Sequence, residues 1–140
     1  MKKFLLPIML AFALLIPAIQ AQATDVPNFK QVVGDSIGNG KRENEKGYCV
    51  YKYIVDSDDK HSNEFAEKYV NFLQESSITL IEHKKDCFED RIDYWETHFI
   101  EKWFFTCRGQ RVEFWQYNYY NEGRISFSVR VANGLTYAGN

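Results

Sequence analysis

The stretch Arg124-Ile125-Ser126-Phe127-Ser128-Val129-Arg130-Val131-Ala132 decides the fold. Ile125, Phe127, Val129 and Val131 alternate with Ser126, Ser128 and Arg130, the period of a strand with one buried face and one wet face. Such a strand needs paired neighbours and a cover for its apolar side. The residues before it supply both. Arg111 to Tyr120 and Tyr94 to Cys107 are rich in aromatic and β-branched residues and are expected as strands. Ile78 to His83, extending towards Phe88, is expected as another, and Tyr48 to Val55 as the first.

Between the first two strands the period changes. Phe65, Ala66, Tyr69, Phe72 and Leu73 form one stripe at helical spacing, which predicts a helix from Ser62 to Glu75 with Ser62 as N-cap and Glu64 in its first turn. Phe29, Val32, Val33 and Ile37 predict a shorter helix from Pro27 to Ser36, broken by Gly38-Asn39-Gly40. Lys41 to Gly47 is charged and polar and is expected as a loop. The expected fold is α+β: an antiparallel sheet of four to five strands packed on one main helix, with a short N-terminal helix. This element order is similar to that of cystatin-like α+β rolls, in which a sheet wraps one helix. The chain carries no cystatin inhibitory motif, and no residue or activity is carried over.

The chain's 140 residues begin with a basic Lys2-Lys3, an apolar run from Phe4 to Ile19, and Ala21-Gln22-Ala23. In that order these are the parts of a cleaved secretory signal. The expected division is 1–23 signal peptide, 24–47 short helix and loop, and 48–140 a single α+β domain. Cleavage would leave 140 less 23, or 117 residues, with no membrane anchor, in the periplasm or outside a bacterial cell. The net charge of −2 would deepen to −4 with the loss of Lys2 and Lys3. That balance speaks against nucleic acid as a partner. Eleven Phe, nine Tyr and three Trp exclude a disordered chain.

Export makes Cys49, Cys87 and Cys107 candidates for one bridge and one remaining thiol. If the first two long strands are antiparallel neighbours, the start of one meets the end of the other, and Cys49–Cys87 is the expected pair. Cys107 lies about 30 Å or more from Cys87 if its strand is unbroken. A nucleophilic Cys107 would need a base, and nothing places His61, His83 or His98 beside it. No His or Cys spacing suits a metal, and no cofactor is expected.

Two tight turns fix an expected register. A two-residue loop with Gly109 first sets 107 opposite 112 and 105 opposite 114. A second turn, pairing 121 with 124, sets 120 opposite 125 and 118 opposite 127. One face then holds Trp103, Phe105, Cys107, Val112, Phe114, Tyr120, Ile125, Phe127, Val129 and Val131, with Gln116 and Asn118 needing partners. The other carries Lys102, Phe104, Trp115, Tyr117, Tyr119 and Arg130 beside Ser126 and Ser128. These aromatics among cations are the candidate binding residues. Sugar rings stack on Trp and Tyr, and protein interfaces use the same residues as anchors. The N-terminal helix, or a second copy in a homodimer, is the alternative cover for that face.

The expected function is therefore a small exported binding protein without catalysis. An inhibitor or immunity-type protein acting on an envelope-targeting enzyme comes first, its acidic balance suiting a basic, cell-wall-acting partner. A glycan- or small-ligand-binding module of the periplasm, or a secreted host-interaction factor, is the alternative.

Overall fold

A computed structural model describes residues 25–34, 37–56, 59–91, 95–119 and 124–139. The expected signal peptide lies outside these residues, as do Tyr120 and the side chains of Cys87 and Tyr119. The elements, in chain order, are α1 (Phe29–Val33), β1 (Lys41–Glu45), β2 (Tyr48–Asp56), α2 (Asp59–Glu75), β3 (Thr79–Arg91), β4 (Trp95–Cys107), β5 (Gln110–Tyr119) and β6 (Arg124–Ala132). The fold is α+β, with a six-stranded antiparallel sheet in the order β1-β2-β6-β5-β4-β3.

Strands β3 to β6 form the expected meander. The sheet has one strand more than the five expected because Lys41–Glu45 is a strand, not a loop. It pairs with β2 from Lys41 opposite Lys52 to Glu45 opposite Tyr48. Its charged sequence has no apolar period to betray it. Short, charged strands are what sheet edges carry, because they discourage further pairing.

The second difference is the position of β2. It pairs with β6, Tyr48 opposite Ala132 and Asp56 opposite Arg124. Strands β2 and β3 are therefore separated by β6, β5 and β4, and they run parallel rather than antiparallel. The neighbour relation from which Cys49–Cys87 was inferred is absent. Four strand spacings amount to about 19 Å, against a Cα separation of roughly 7 Å at most for a disulfide. Cys49 and Cys107 are both free thiols. The Cys49 Sγ accepts from Arg42 Nε at 3.2 Å and donates to Asn44 Oδ1 at 3.3 Å.

Helix α2 crosses the inner face of the sheet between β2 and β3. It starts at Asp59, earlier than expected, so Ser62 is an interior helix residue and not the N-cap. Ser62, Ala66, Tyr69, Val70 and Leu73 are buried, while Phe72 turns outward at 41 % exposure. The helix runs to Glu75 and is stopped by Ser77, in the left-handed region at φ 65. Ile78 N–H bonds back to Leu73 O at 3.1 Å, a Schellman stop, and Ile78 is buried as β3 begins.

Helix α1 is shorter than the expected Pro27–Ser36 segment. Asn28 caps it, its side chain accepting from Gln31 N–H at 3.1 Å, and Gly34 at φ 121 ends it. It packs on the inner face as well, not on the outer one. Phe29 is wholly buried, with ring centroids 4.8 Å from Phe127, 5.1 Å from Tyr53 and Tyr69, and 5.4 Å from Phe114. The expected inner residues of β4 to β6 that are described are all buried, from Trp103 to Val131.

Both hairpin registers differ from expectation by two residues. Cys107 pairs with Gln110 and Phe105 with Val112. The loop is Arg108-Gly109, with φ 52 and 77, both positive as a type I′ turn requires. Tyr119 pairs with Arg124 and Asn118 with Ile125. Because a slip of two preserves the alternation, each residue keeps its expected face.

The two ends of the described chain clasp each other. Val26 N–H donates to Thr136 O at 3.0 Å, and Ala138 N–H to Val26 O at 2.9 Å. Tyr137 Oη accepts from Phe29 N–H at 2.8 Å and is hydrogen-bonded to Tyr53 Oη at 2.5 Å, with either hydroxyl able to donate. The Asp25 carboxylate accepts from Thr136 N–H at 3.0 Å and Arg108 NH1 at 2.7 Å. Burial works to raise the Asp25 carboxyl, but the hydrogen bonds from Thr136 and Arg108 outweigh it and hold the group below its usual 3.8. A lowered folded value contributes stability above pH 3.8 that is lost as pH falls through the folded value. Asp25→Asn is therefore expected to cost about 1–2 kcal/mol at pH 7, with the gap to the parent closing in acid. Urea melts at a series of pH values check this, and a gap that stays constant into acid would contradict it.

Candidate functional site

The candidate binding residues lie on the outer face of the sheet, and no described helix covers that face. The alternation of β5 and β6 directs them there, since the apolar partners of the same strands take the inner face. Trp115, Tyr117 and Arg130 line a trough of about 550 Å³ that runs over β1, β2, β6 and β5. Lys102, directly opposite Trp115 on β4, places Nζ 4.0 Å from the centre of the indole. Phe104 is on the same face but outside the trough, under Arg111, whose guanidinium carbon is 4.9 Å from its centroid. Tyr119 holds the same parity by its register position opposite Arg124.

Glu113 was not among the candidates, although alternation from Trp115 assigns it to this face. It is only 7 % exposed. In register it stands between Phe104 and Arg130. Trp115 Nε1 donates to its Oε1 at 3.0 Å, while Arg111 Nε and Arg130 Nε lie 3.7 Å and 4.0 Å from its carboxylate. Arg130 also reaches Glu45 on β1 at 2.7 Å. Its guanidinium carbon is 4.7 Å from the Trp115 ring centre and 5.2 Å from that of Tyr48. Trp115 is thus held by one hydrogen bond and two cations, and is fixed in orientation before any partner arrives.

Ile125, Ser126 and Ser128 of β6 also line the trough, and its other half comes from elements that alternation on β5 and β6 could not reach. Lys41, Glu43 and Glu45 stand on β1, and Val50, Lys52 and Ile54 on β2. Glu43 bonds Lys52 at 2.8 Å. That contact, and more weakly Lys41, holds the Glu43 carboxyl below its usual range. Ile54 is 67 % exposed at the floor's edge.

The inner face has a smaller cleft of about 300 Å³ beside α2, where Gln116 and Trp103 meet Glu67 and Glu101. Gln116 Nε2 donates to Ser62 Oγ at 3.3 Å and Asn118 Oδ1 at 3.2 Å, which gives Ser62 and Asn118 a partner on the core side, while Gln116 Oε1 is buried without one among the described residues. His83 stacks on Trp103 at 4.8 Å and bonds Glu101 at 2.9 Å. Cys107 is buried near Asp25 O at 4.0 Å, and burial, then Asp25, pushes its thiol up. A raised thiol is a poorer nucleophile at neutral pH. Among the described residues no three His, Cys, Asp or Glu side chains converge as a metal site, and no helix is long and apolar enough to cross a membrane.

No family model matches the chain, and no curated protein matches it.

Glu113→Ala is expected to destabilise the fold by about 2–3 kcal/mol, because it leaves Arg111 and the inner edge of Arg130 without their carboxylate. The cost falls short of a fully buried pair because Arg130 keeps Glu45. Urea denaturation measures it, and a loss below about 0.5 kcal/mol, the range of ordinary surface changes, would show that Glu113 does not organise this face.

Proposed function

We propose that the chain is a small exported, non-catalytic binding protein that captures a protein partner on the outer face of its sheet. In this role it acts as an inhibitor or immunity-type protein against an envelope-targeting enzyme, in the periplasm or outside the cell. The observation that carries the proposal is the placement of both described helices on the inner face. Trp115 and Tyr117 therefore line an open trough with Arg130. Preorganised aromatic and Arg side chains are what binding hot spots are made of, because little entropy is lost in fixing them. The acidic balance of the whole chain adds long-range attraction for a basic, cell-wall-acting enzyme.

A glycan- or small-ligand-binding module is the second reading. The trough volume of about 550 Å³ favours it, since small-molecule sites are of that order. Self-association through the same face is a third outcome, visible in solution mass.

The test is inhibition of a panel of purified muramidases, amidases and peptidases by the secreted chain. At least one enzyme is expected to be inhibited. The Trp115→Ala/Tyr117→Ala variant is expected to need about 100-fold more protein, two hot-spot losses together. Inhibition undiminished in that variant would remove the outer face from the proposal. Absence of inhibition together with binding on a glycan array would select the second reading.

A further inference from the structure

The pairing of all six strands places four lysines on one rung of the outer face. Lys41 is opposite Lys52, Lys52 opposite Ser128, Ser128 opposite Trp115, Trp115 opposite Lys102, and Lys102 opposite Lys84. Six strands at about 4.8 Å make this rung about 24 Å long, perpendicular to the strands. Like charges directly opposed on neighbouring strands are destabilising. Here that arrangement occurs twice, at Lys41/Lys52 and at Lys102/Lys84.

Among the described residues, two of the four have carboxylate partners. Lys52 bonds Glu43 at 2.8 Å, and Lys84 lies 3.5 Å from Glu82. Lys102 is set over the Trp115 ring at 4.0 Å. Lys41, exposed at the trough's rim, makes no ion pair among the described residues. A fold that is acidic overall therefore concentrates repelling cations across one face, next to its preorganised tryptophan.

We propose that this rung receives an acidic polypeptide segment of the partner, laid across the strands. Its carboxylates meet the two lysine pairs, and an apolar side chain seats against Ile54 and Tyr117 on the adjoining rung. The proposal rests on the protein-capture role of the outer face and names the partner's chemistry there. The net charge of the chain bears on attraction at a distance, whereas the local sign of the rung selects what touches it.

Two observations and one match of dimensions favour a polypeptide over an acidic glycan. Lys102 and Arg130 already lie against the Trp115 ring, so it does not offer bare faces for a sugar to stack on. Ile54, 67 % exposed, stands on the same rung as Tyr117 through Ser126 and asks for an apolar side chain. A helix advances about 5.4 Å per turn, close to the strand spacing of about 4.8 Å, so carboxylates one turn apart meet successive strands.

The probe is fluorescein-labelled oligo-L-glutamate, titrated by anisotropy into the secreted chain at low salt. Oligogalacturonate serves as the acidic glycan arm. Oligoglutamate is expected to bind, and Lys41→Gln/Lys102→Gln to weaken it about 3- to 20-fold. Lys46→Gln/Lys68→Gln, an equal charge change at exposed lysines off the rung, is expected to weaken it less than about 2-fold. Matching thermal melts would show that both variants are folded. No binding, or equal losses in the two variants, overturns the proposal. Lysine-dependent binding of oligogalacturonate alone overturns it in favour of a glycan. Full enzyme inhibition by Lys41→Gln/Lys102→Gln, with loss in Trp115→Ala/Tyr117→Ala, overturns the rung while leaving partner capture intact.

Discussion

The pairing of β2 with β6 joins the first long strand of the chain to the last, with Tyr51 opposite Val129 and Tyr53 opposite Phe127. Closing so long a loop costs entropy that local contacts cannot offset. The burial of those same residues on the inner face, each under 7 % exposed, supplies the compensation. Since β3 to β6 already form a meander, this pairing sends β3 to the far edge. Helix α2 must then cross the sheet. Its 17 residues give about 25 Å of helix, enough to span four strand spacings of about 19 Å. The crossing fixes which side chains are covered, and α1 fills the rest of the inner face through Phe29.

The outer face follows from the same pairing. With β2 against β6 and β1 against β2, cations from the N-terminal third stand in register with aromatics from the C-terminal third. Arg130 bridges them, reaching Glu45 on β1 and Trp115 on β5. The face is stabilised by cation–aromatic contacts and by the buried Glu113 carboxylate, without a covering element among the described residues. The negative balance of the whole chain therefore describes no particular surface, and the surface carrying Trp115 is crossed by lysines.

Alternation made much of this legible. Ile125 to Val131 and the stripe through Ala66, Tyr69 and Leu73 depend on local period, and local period survives into the fold. The assignment of Trp115, Tyr117 and Arg130 to one face survived an incorrect register because both hairpin errors were even. Sheet order was not legible, because no local pattern in Tyr48–Asp56 distinguishes β6 from β3 as a neighbour. The Cys49–Cys87 inference depended on that choice and lost its basis with it. Strand β1 was hidden for a different reason: Lys41–Glu45 has no apolar residue, and its strand form is imposed by the edge of β2. Half of the trough was consequently invisible, since Lys41, Glu43 and Lys52 join Trp115 only through the sheet order. Ser62 has the chemistry of a cap, yet it is buried to serve Gln116, a demand that arises only once α2 lies over β5.

Long-range backbone NOEs in the isotopically labelled protein test the central claim, the joining of β2 to β6, most directly. Cross-strand contacts are expected between Tyr51 and Val129 and between Lys52 and Ser128, with Lys41 in turn opposite Lys52. Contacts placing β2 beside β3, with none between β2 and β6, would contradict it and dissolve the trough and the lysine rung together.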